Sequence, residues 1–438
     1  MEAKPALLPE QEAAPAPAHT GGTGRDLRGY LAFLATHYPD QLRRVTRPVD
    51  PRFELAGVLA QLERRGRPPV VVFEHVRGSQ IPVVSNVHAT FARLALALGL
   101  PAGASVRAFT QEYARRESHP LPPVVVDDPP VQEVVLTGDA VDLGMLPLPT
   151  YHERDGGAYI TVGFAVMRDP DSGVRNAGIY RLMRQGRNTL GVQLSETGHG
   201  HYIWRKYERR GAPTPVAVFI GHHPAVHLGC MSFAPLEVDE LAVAGAMLGE
   251  PLRLARCRTV PLEVPADAEI VLEGEILPHV RAPEAPFGEY PGTYGPQRLN
   301  PVVQIHAITM RRQPLFQESF VGHADHLLLG GAPRLSTILK TVQVACPTVR
   351  QVYVPPAGCC RFICYIAMEK LVEGDPKNAA MAAFAADPYL KFVVVVDEDV
   401  DILNDSDVLH AIATRVRAER DTFVVTYARG SPLDPASY

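Results

Sequence analysis

The sequence predicts a mixed α/β fold in several domains, with a β-rich centre between two α/β units. Three observations predict it. The 438 residues are too many for one ordinary hydrophobic core. Hydrophobic residues make up 46% and charged residues 21%, which is the balance of a soluble globular protein. Short β-branched segments crowd the middle of the chain, whereas helical and strand patterns alternate towards both ends.

Composition also excludes several classes of partner and location. Residues 1–25 are rich in Pro, Ala, Gly and Glu without a continuous apolar stretch, so we expect a disordered leader and not a signal peptide. A formal charge of −5 without a Lys/Arg block argues against nucleic acid, and no apolar run is long enough to cross a membrane. Six cysteines without a CxxC pair predict a reduced, cytoplasmic enzyme.

The first domain is expected over residues 26–122. Leu27 to His37 and Phe53 to Arg65 have the apolar spacing of amphipathic helices. Pro69 to His75 (PVVVFEH) has the continuous apolar character of a buried strand. Together these segments predict a small α/β unit.

The second domain is expected over residues 123–314 and is dominated by short strands. Their number and spacing favour a barrel or a sandwich. One stretch, Val238 to Leu248, breaks the pattern with helical spacing, and Asp239 can serve its first turn. The predicted strands are Val124 to Val126, Tyr159 to Met167, Thr189 to Leu194, Val216 to Ile220, Glu269 to Leu277 and Val302 to Met310.

A linker and pocket segment is expected over residues 315–333, followed by a C-terminal α/β domain over 334–438. Neither GxGxxG after a strand nor GxxxxGK occurs there, so a dinucleotide site or a P-loop lacks its phosphate-binding turn. The predicted elements are helices at Arg334 to Cys346, Pro376 to Ala386 and Asp405 to Val416, and buried strands at Arg361 to Met368 and Lys391 to Val396.

Two polar segments stand out as candidates for chemistry. Asn176 and Arg181 are five residues apart, so they lie on opposite faces of a straight strand, although Gly178 allows a bend that brings them together. Glu284 and Glu289 lie in a loop stiffened by proline and glycine, where two close acids leave one of them as a proton donor near neutral pH. The simpler alternatives are a surface hairpin with a solvated arginine and an ordinary loop with solvated acids.

Histidines form the third group of candidates. His199 and His201 flank a glycine and are able to hold a metal, with Glu240 as an oxygen ligand; His222, His223 and His227 form a second cluster. None has the HExxH spacing of a zinc protease. The alternative is that the histidines are structural or exposed and that Glu240 serves only a helix dipole.

Two ordered motifs connect these candidates to a known family. NAGIYRLM at 176–183 and PEAPFGEYPG at 283–292, with VPADAEIVLEGEI at 264–276 and KFVVVVDEDVDI at 391–402, resemble the UbiD family of reversible decarboxylases. The resemblance implies an N-terminal α/β domain, a central split β-barrel like that of flavin reductases, and a C-terminal α/β domain. It also implies prenylated FMN as cofactor and a catalytic trio of Arg181, Glu284 and Glu289. The second acid, Glu289, is a glutamate, as in the ferulic acid decarboxylase branch of the family.

The resemblance further implies two metal ions and a set of cofactor contacts. Asn176, Glu240 and His199, with His201 as competitor, are implied as ligands of Mn²⁺ or Mg²⁺, which suit such a donor set better than zinc does. K⁺ is implied at the backbone of Cys230, Met231 and Ser232. The residues near the flavin or its phosphate are Ile179, Arg181, Met231 and Lys391, whereas His323 and His326 in the stretch Phe320 to Leu329 face the substrate without a defined role.

The expected function is therefore non-oxidative decarboxylation of an aromatic, heteroaromatic or α,β-unsaturated carboxylic acid. A flavin prenyltransferase is expected to supply the cofactor, and a homodimer or a higher homo-oligomer is expected. Three alternatives remain: a flavin-reductase-like oxidoreductase with ordinary FMN, a non-catalytic homologue that binds the prenylated flavin, and a metal-dependent hydrolase built on the histidines.

Overall fold

The computed structural model describes residues 24–66, 68–196 and 198–436. The predicted elements of the first domain match the observed ones to within two residues, whereas residues 1–23 of the predicted leader lie outside the described residues. In order, the first elements are α1 (Leu27–His37), β1 (Leu42–Val45), α2 (Glu54–Arg64), β2 (Val70–Phe73), β3 (Val83–Ser85), α3 (Phe91–Ala97) and α4 (Val106–Glu117).

Local chemistry explains where α1 begins. The Asp26 carboxylate accepts a hydrogen bond from the Gly29 amide at 2.8 Å and so satisfies one of the N–H groups that a helix leaves free at its start. The apolar face of α1 then buries Leu27, Tyr30 and Leu34. In the adjoining sheet, β1 pairs with β2 in parallel, and β2 pairs with β3 in the antiparallel sense.

The central region is rich in strands, as predicted. Its elements in chain order are β4 (Val124–Val125), β5 (Val134–Thr137), β6 (Tyr159–Arg168), β7 (Arg175–Arg184), β8 (Thr189–Val192), α5 (His199–Arg209), β9 (Thr214–Ile220), α6 (Pro224–Cys230), α7 (Glu240–Leu248), β10 (Arg253–Arg256), β11 (Glu263–Pro265), β12 (Ile270–Glu284), β13 (Phe287–Gly288), β14 (Tyr294–Gly295), β15 (Arg298–Met310) and β16 (Phe316–Gln317).

Six of these strands close into a barrel, which decides between the predicted barrel and sandwich. The order is β12-β9-β6-β7-β8-β15, and β15 pairs again with β12. β5 adds to the outside of β15. A register shift lies beside Gly274, where a Cβ atom would be 2.0 Å from the Gln304 carbonyl oxygen, so only glycine allows the strands to approach there.

The remaining short strands connect the barrel to its surroundings. β10 lies between β11 and β4 in a small separate sheet. β16 pairs with β3 in parallel, so the chain returns from the barrel to the N-terminal sheet before it enters the last domain. The segment expected as a linker, 315–333, therefore begins with a strand of the first domain's sheet.

The C-terminal elements are α8 (Ala324–Ala345), β17 (Val349–Tyr353), β18 (Ile363–Met368), α9 (Asp375–Ala386), β19 (Phe392–Asp397), α10 (Asp405–Arg415) and α11 (Ala418–Asp421). α8 begins ten residues before the predicted helix start at Arg334, inside the expected linker. Gly330, Gly331 and Pro333 make this stretch look non-helical in sequence, but burial of its leucines overrides the weak propensity. β19 is not the buried strand that was predicted, because it lies at the edge of the sheet and is half exposed.

Two further expectations concern the chain as a whole. The six cysteines all lie in the described ranges, with Cys230, Cys346, Cys360 and Cys364 buried. No helix within the described ranges is long and apolar enough to cross a membrane.

Candidate active site

Arg181 lies on β7, near one end of the barrel. β6 carries one extra residue opposite it, since Ile160 pairs with Leu182 but Gly163 pairs with Tyr180. The irregularity is thus on the partner strand and not at Gly178, where the sequence analysis expected the bend. Asn176 and Arg181 consequently belong to two separate clusters of polar side chains.

The first cluster contains Arg181, Glu284 and Glu289. Glu284 is the last residue of β12 and not a loop residue as the sequence predicted, whereas Glu289 follows β13 in the connection to β14. The Nε and Nη2 atoms of Arg181 donate to the two carboxylate oxygens of Glu284 at 2.9 and 2.8 Å. Its Nη1 atom contacts the Glu289 carboxylate. Glu284 and Glu289 are both buried, so the structure brings the predicted trio together away from bulk water.

Two residues that the sequence analysis missed complete this cluster. The Asn300 amide donates to Glu284 Oε2 at 2.8 Å and to Gln193 Oε1 at 2.7 Å. Gln193 also accepts a weaker hydrogen bond of 3.4 Å from Arg181 Nη2. Gln193 directly follows β8 and Asn300 lies on β15, 16 residues after Glu284, and no motif in the sequence marks either of them.

Aromatic side chains form the walls around the trio. The Arg181 guanidinium carbon lies 5.4 Å from the centre of the Phe287 ring, which in turn packs against Tyr159 at 4.2 Å. Burial, and then the charge of Glu284, raises the pKa of the Tyr159 phenol well above its ordinary value. Tyr159 therefore stays a neutral phenol beside the glutamate.

Backbone contacts fix the loop between the two acids. The Gly156 amide donates to the Pro286 carbonyl at 2.7 Å, and the Gly288 amide donates to Asp155 at 3.0 Å. A Cβ atom at Gly156 would lie 2.7 Å from the Ala285 carbonyl oxygen, so a larger residue would push the loop away. The loop is rigid for reasons beyond its proline and glycine content.

The second cluster contains Asn176, His199 and Glu240. Glu240, the first residue of α7, accepts from the Asn176 amide at 2.8 Å and from the Ala177 backbone at 3.0 Å. His199, the first residue of α5, places Nδ1 3.4 Å from Glu240 Oε1. A Cβ atom at Gly200 would lie 2.1 Å from the Tyr180 hydroxyl, so the glycine between the two histidines lets α5 begin against β7.

This donor set fits a hard divalent cation. Asn176 Oδ1 is buried and has no hydrogen-bond partner within the described residues, so a carbonyl oxygen is left for a cation to satisfy. Those residues contain no group of three or more His, Cys, Asp or Glu that could hold a metal, so the set is mixed, with one amide, one imidazole and one carboxylate. His201 lies elsewhere, against Trp204, and burial lowers the pKa of its imidazole.

Only some of the residues predicted to contact the cofactor lie close to the two clusters. Cys230 is the last residue of α6, and Met231 and Ser232 follow it in a turn. Burial, and then the charges of Glu240 and Asp239, raises the pKa of the Cys230 thiol. The turn therefore lies beside the second cluster. The Ser232 hydroxyl donates to Glu117 at 2.8 Å.

Ile179 and Lys391, which were also predicted to contact the cofactor, lie in different parts of the structure. Ile179 lies on β7 between the two clusters and pairs with Phe164. The ammonium group of Lys391 pairs with Asp434 at 2.9 Å.

The unassigned histidines have structural contacts. His323 Nδ1 lies 2.7 Å from Glu63 Oε2, and the centre of its ring lies 3.7 Å from the centre of the Phe320 ring. His323 therefore joins the N-terminal domain to the start of α8. In the second histidine cluster, His227 lies 3.0 Å from His88, which faces Asp325. Burial holds the pKa of His227 well below its ordinary value, so the His227 imidazole is a neutral group of the core.

Comparison with known proteins gives a consistent picture. Three family models match the chain: the N-terminal, Rift-related and C-terminal domains of 3-octaprenyl-4-hydroxybenzoate carboxy-lyase (UbiD), over residues 36–113, 124–324 and 327–438. The chain is 38% identical over 389 residues to anhydromevalonate phosphate decarboxylase of Methanothermobacter thermautotrophicus, a match that covers 89% of each protein.

Solved structures agree with these matches. The UbiD-class enzyme HmfF from Pelotomaculum thermopropionicum, in an evolved dimeric form with prenylated FMN, is 41% identical with a TM-score of 0.88, covering 92% of this chain and 93% of that one. The 3,4-dihydroxybenzoic acid decarboxylase AroY of Klebsiella pneumoniae is 33% identical with a TM-score of 0.85, covering 94% and 89%.

Proposed function

The chain belongs to the UbiD family of carboxy-lyases, and from this membership we propose that it decarboxylates an aromatic, heteroaromatic or α,β-unsaturated carboxylic acid, reversibly and without net oxidation, with prenylated FMN as cofactor. The observation that carries the proposal is the buried contact of one arginine, Arg181, with two glutamates, Glu284 and Glu289. In this arrangement the chain's own side chains provide a cation that can bind a carboxylate and an acid that can donate a proton.

The alternatives explain less of this arrangement. A flavin-reductase-like oxidoreductase with ordinary FMN would account for the barrel, but it has no need of two buried glutamates on one arginine. A non-catalytic homologue that only binds the prenylated flavin would be expected to lack one of Arg181, Glu284 and Glu289, and all three are present. A hydrolase built on the histidines is disfavoured because the sequence has no HExxH unit, and because His199 and His201 lie in separate surroundings, beside Glu240 and Trp204 respectively.

The side chains of the protein orient the substrate and supply the proton that replaces CO₂. Loss of CO₂ leaves an electron pair without a sink, and prenylated FMN supplies that sink when it is bound. Arg181 orients the substrate carboxylate by charge-assisted hydrogen bonds. Glu284 donates the proton that replaces CO₂, and Glu289 holds the guanidinium in position through Nη1.

We assign Mn²⁺ or Mg²⁺ to Asn176, His199 and Glu240, where the cation would neutralise the flavin phosphate. The unpartnered Asn176 Oδ1 supports this assignment. A potassium ion is assigned to the backbone of the turn 230–232, whose proximity to Glu240 supports a second cation there. Ile179, Met231 and Lys391 are assigned to the flavin or its phosphate, which requires Lys391 to exchange Asp434 for the phosphate.

We also propose that the protein is at least a homodimer in the cytoplasm and that it receives its cofactor from a flavin prenyltransferase. The edge strand β19, with Phe392 60% exposed, and the exposed Leu371 and Leu409 give the C-terminal domain an apolar surface suited to self-association. Six cysteines without a CxxC pair support a reducing location.

Co-expression with a flavin prenyltransferase tests the proposal. We expect a bound flavin with the mass and absorption of prenylated FMN, and release of CO₂ from at least one acid in a panel of cinnamic, furoic and hydroxybenzoic acids. Protein produced without the prenyltransferase is the matched control and should release none. Oxidation of NAD(P)H by the FMN-loaded protein, with no CO₂ from any acid by the prenylated form, would favour the oxidoreductase instead.

A further inference from the structure

Asn300 is a buried amide that the proposed mechanism leaves without a role. It lies on β15, two residues beyond Arg298, which is the residue opposite Glu284 in the strand register. Its Nδ2 atom donates to Glu284 Oε2 at 2.8 Å and to Gln193 Oε1 at 2.7 Å. Both hydrogens of the amide nitrogen are therefore in use, and one of them binds the proposed proton donor.

Gln193 fixes which end of the Asn300 amide faces the glutamate. The Oε1 atom of Gln193 also accepts from Arg181 Nη2 at 3.4 Å, so this oxygen is an acceptor toward both neighbours. An oxygen in place of the Asn300 nitrogen would face two acceptors, Gln193 Oε1 and Glu284 Oε2, with no hydrogen to bind. A neutral group, whose charge does not change with pH, thus holds Asn300 as a donor.

The two oxygens of Glu284 have unequal partners as a result. Oε2 accepts from two N–H groups, Arg181 Nη2 at 2.8 Å and Asn300 Nδ2, whereas Oε1 accepts from one, Arg181 Nε at 2.9 Å. Each carboxylate oxygen has two lone pairs, so the two donors occupy both lone pairs of Oε2. An N–H group only donates, and a proton on Oε2 would therefore point at another hydrogen. The arrangement leaves Oε1 as the oxygen that can carry a proton.

The other groups around Glu284 do not remove this difference. Tyr159 lies beside the glutamate and remains a neutral hydroxyl, because burial and then the charge of Glu284 raise the pKa of its phenol. A hydroxyl both donates and accepts, so Tyr159 tolerates a proton on either oxygen. The titratable and charged groups that face Glu284 come from four elements of the site and are Tyr159 of β6, Arg181 of β7, Arg298 of β15 and Glu289 after β13.

We propose that Asn300, held by Gln193, is a positioning residue that directs the transferable proton of Glu284 to Oε1 and favours the carboxylate over the acid. The inference rests on the proposed function and adds to it the atom from which the proton leaves. In the transfer the Oε1–H bond breaks, and the electron pair on the carbon that has lost CO₂ forms the new C–H bond. Glu284 returns to a carboxylate, which the N–H donor on Oε2 stabilises, so Asn300 makes Glu284 a stronger acid.

Infrared difference spectroscopy of the flavin-loaded protein tests this role without relying on turnover. The C=O band of the protonated carboxyl group is followed against pH and is assigned to Glu284 by its absence from Glu284→Gln. Asn300→Leu removes one charge-assisted hydrogen bond from the carboxylate, so we expect the midpoint of this band to rise by about one pH unit or more, a tenfold gain in proton affinity. The alkaline limb of CO₂ release against pH should move by the same amount, because the donor must be protonated.

Three further variants separate this role from a general effect on the strand. Gln193→Leu should raise the midpoint by less than Asn300→Leu does, and the double variant no further than Asn300→Leu alone, because Gln193 acts through Asn300. Gln304→Leu is the matched control, since its amide lies on the same strand but donates to the Asn188 carbonyl at 3.2 Å, and it should leave the midpoint unchanged. Asn300→Ser, whose side chain is too short for the contact, repeats the measurement if Asn300→Leu does not fold.

The outcomes also distinguish this proposal from the proposed function. A midpoint that is unchanged or lowered in the Asn300 variants, or no titrating Glu284 band in any protein, would overturn the role of Asn300. A rise that Gln304→Leu reproduces would assign the effect to loosening of β15 and overturn it as well. The expected rise in a protein that releases CO₂ from no acid would support the role of Asn300 and count against the proposed function.

Discussion

Replacement of Glu284 by glutamine tests the proposed proton donor most directly. The Glu284 carboxylate accepts from Nε and Nη2 of Arg181 and from the Asn300 amide. Glutamine keeps the shape of this side chain but has no carboxyl proton to donate. We expect turnover to fall by roughly 10²–10⁴, which is the usual contribution of a positioned general acid.

The same substitution also changes stability, and this effect has to be separated from the chemistry. A glutamine amide has a single oxygen, so its nitrogen must face a donor of Arg181 or Asn300, and one charge-assisted hydrogen bond worth roughly 1.5–3 kcal/mol is lost. Glu269→Gln is the matched control, because buried Glu269 accepts from Nε and Nη2 of Arg28 at 2.8 Å each, outside the site.

The assay follows CO₂ release and deuterium incorporation from D₂O into the product, alongside flavin absorbance. We expect Glu284→Gln to retain its flavin and lose turnover, and Glu269→Gln to lose stability while it retains turnover. If Glu284→Gln decarboxylates within about threefold of the parent rate, the proton comes from another group and the role of Glu284 is wrong.

Four further predictions follow from the structure. His199→Ala should lower both flavin occupancy and turnover, whereas His201→Ala should leave occupancy unchanged; equal occupancy in both variants would remove His199 from the metal site. Light scattering at micromolar concentration should give at least the mass of a dimer, and a monomer would contradict the proposed assembly. Burial raises the pKa of Glu318 from its ordinary 4.5 to about 7, so the folded state binds the extra proton and loses stability as pH rises through this range. Denaturation should therefore show Glu318→Gln gaining stability relative to the parent between pH 5 and pH 8, by up to roughly 3 kcal/mol, and no gain would refute the shift. Binding of a non-reactive carboxylate should take up about one proton, measured by calorimetry in buffers of different ionisation enthalpy, and no uptake would contradict protonation of the trio when a carboxylate binds.

The elements were predictable from sequence where local pattern decides them. The helix Leu27–His37 was predicted to the residue because the apolar spacing that defines it lies within the segment itself. The start of α8 was not, since Gly330, Gly331 and Pro333 weaken the helix locally and only burial against the other domains restores it. Closure of the barrel depends on the pairing of β12 with β15, which no local window contains.

The same distinction applies to the site. The two glutamates and the arginine of β7 were identified by motif, and the structure brings all three together. Asn300 and Gln193 were missed, because each is a single polar residue whose importance depends on what tertiary packing places around it. Lys391 was assigned to the flavin or its phosphate by resemblance, but its contact with Asp434 depends on the path of the C-terminal segment.

The charge balance of the trio connects substrate binding to proton donation. Arg181 carries one positive charge and contacts two buried carboxylates, so the site already holds an excess of negative charge. A substrate carboxylate adds another, and a buried site relieves such an excess by taking up a proton. Glu284 occupies the Nε and Nη2 fork that the substrate carboxylate requires, and a protonated carboxyl group holds a guanidinium less strongly than a carboxylate does. Under the proposed roles, the proton that frees this fork for the substrate would be the same proton that replaces CO₂, so one protonation would serve both binding and catalysis.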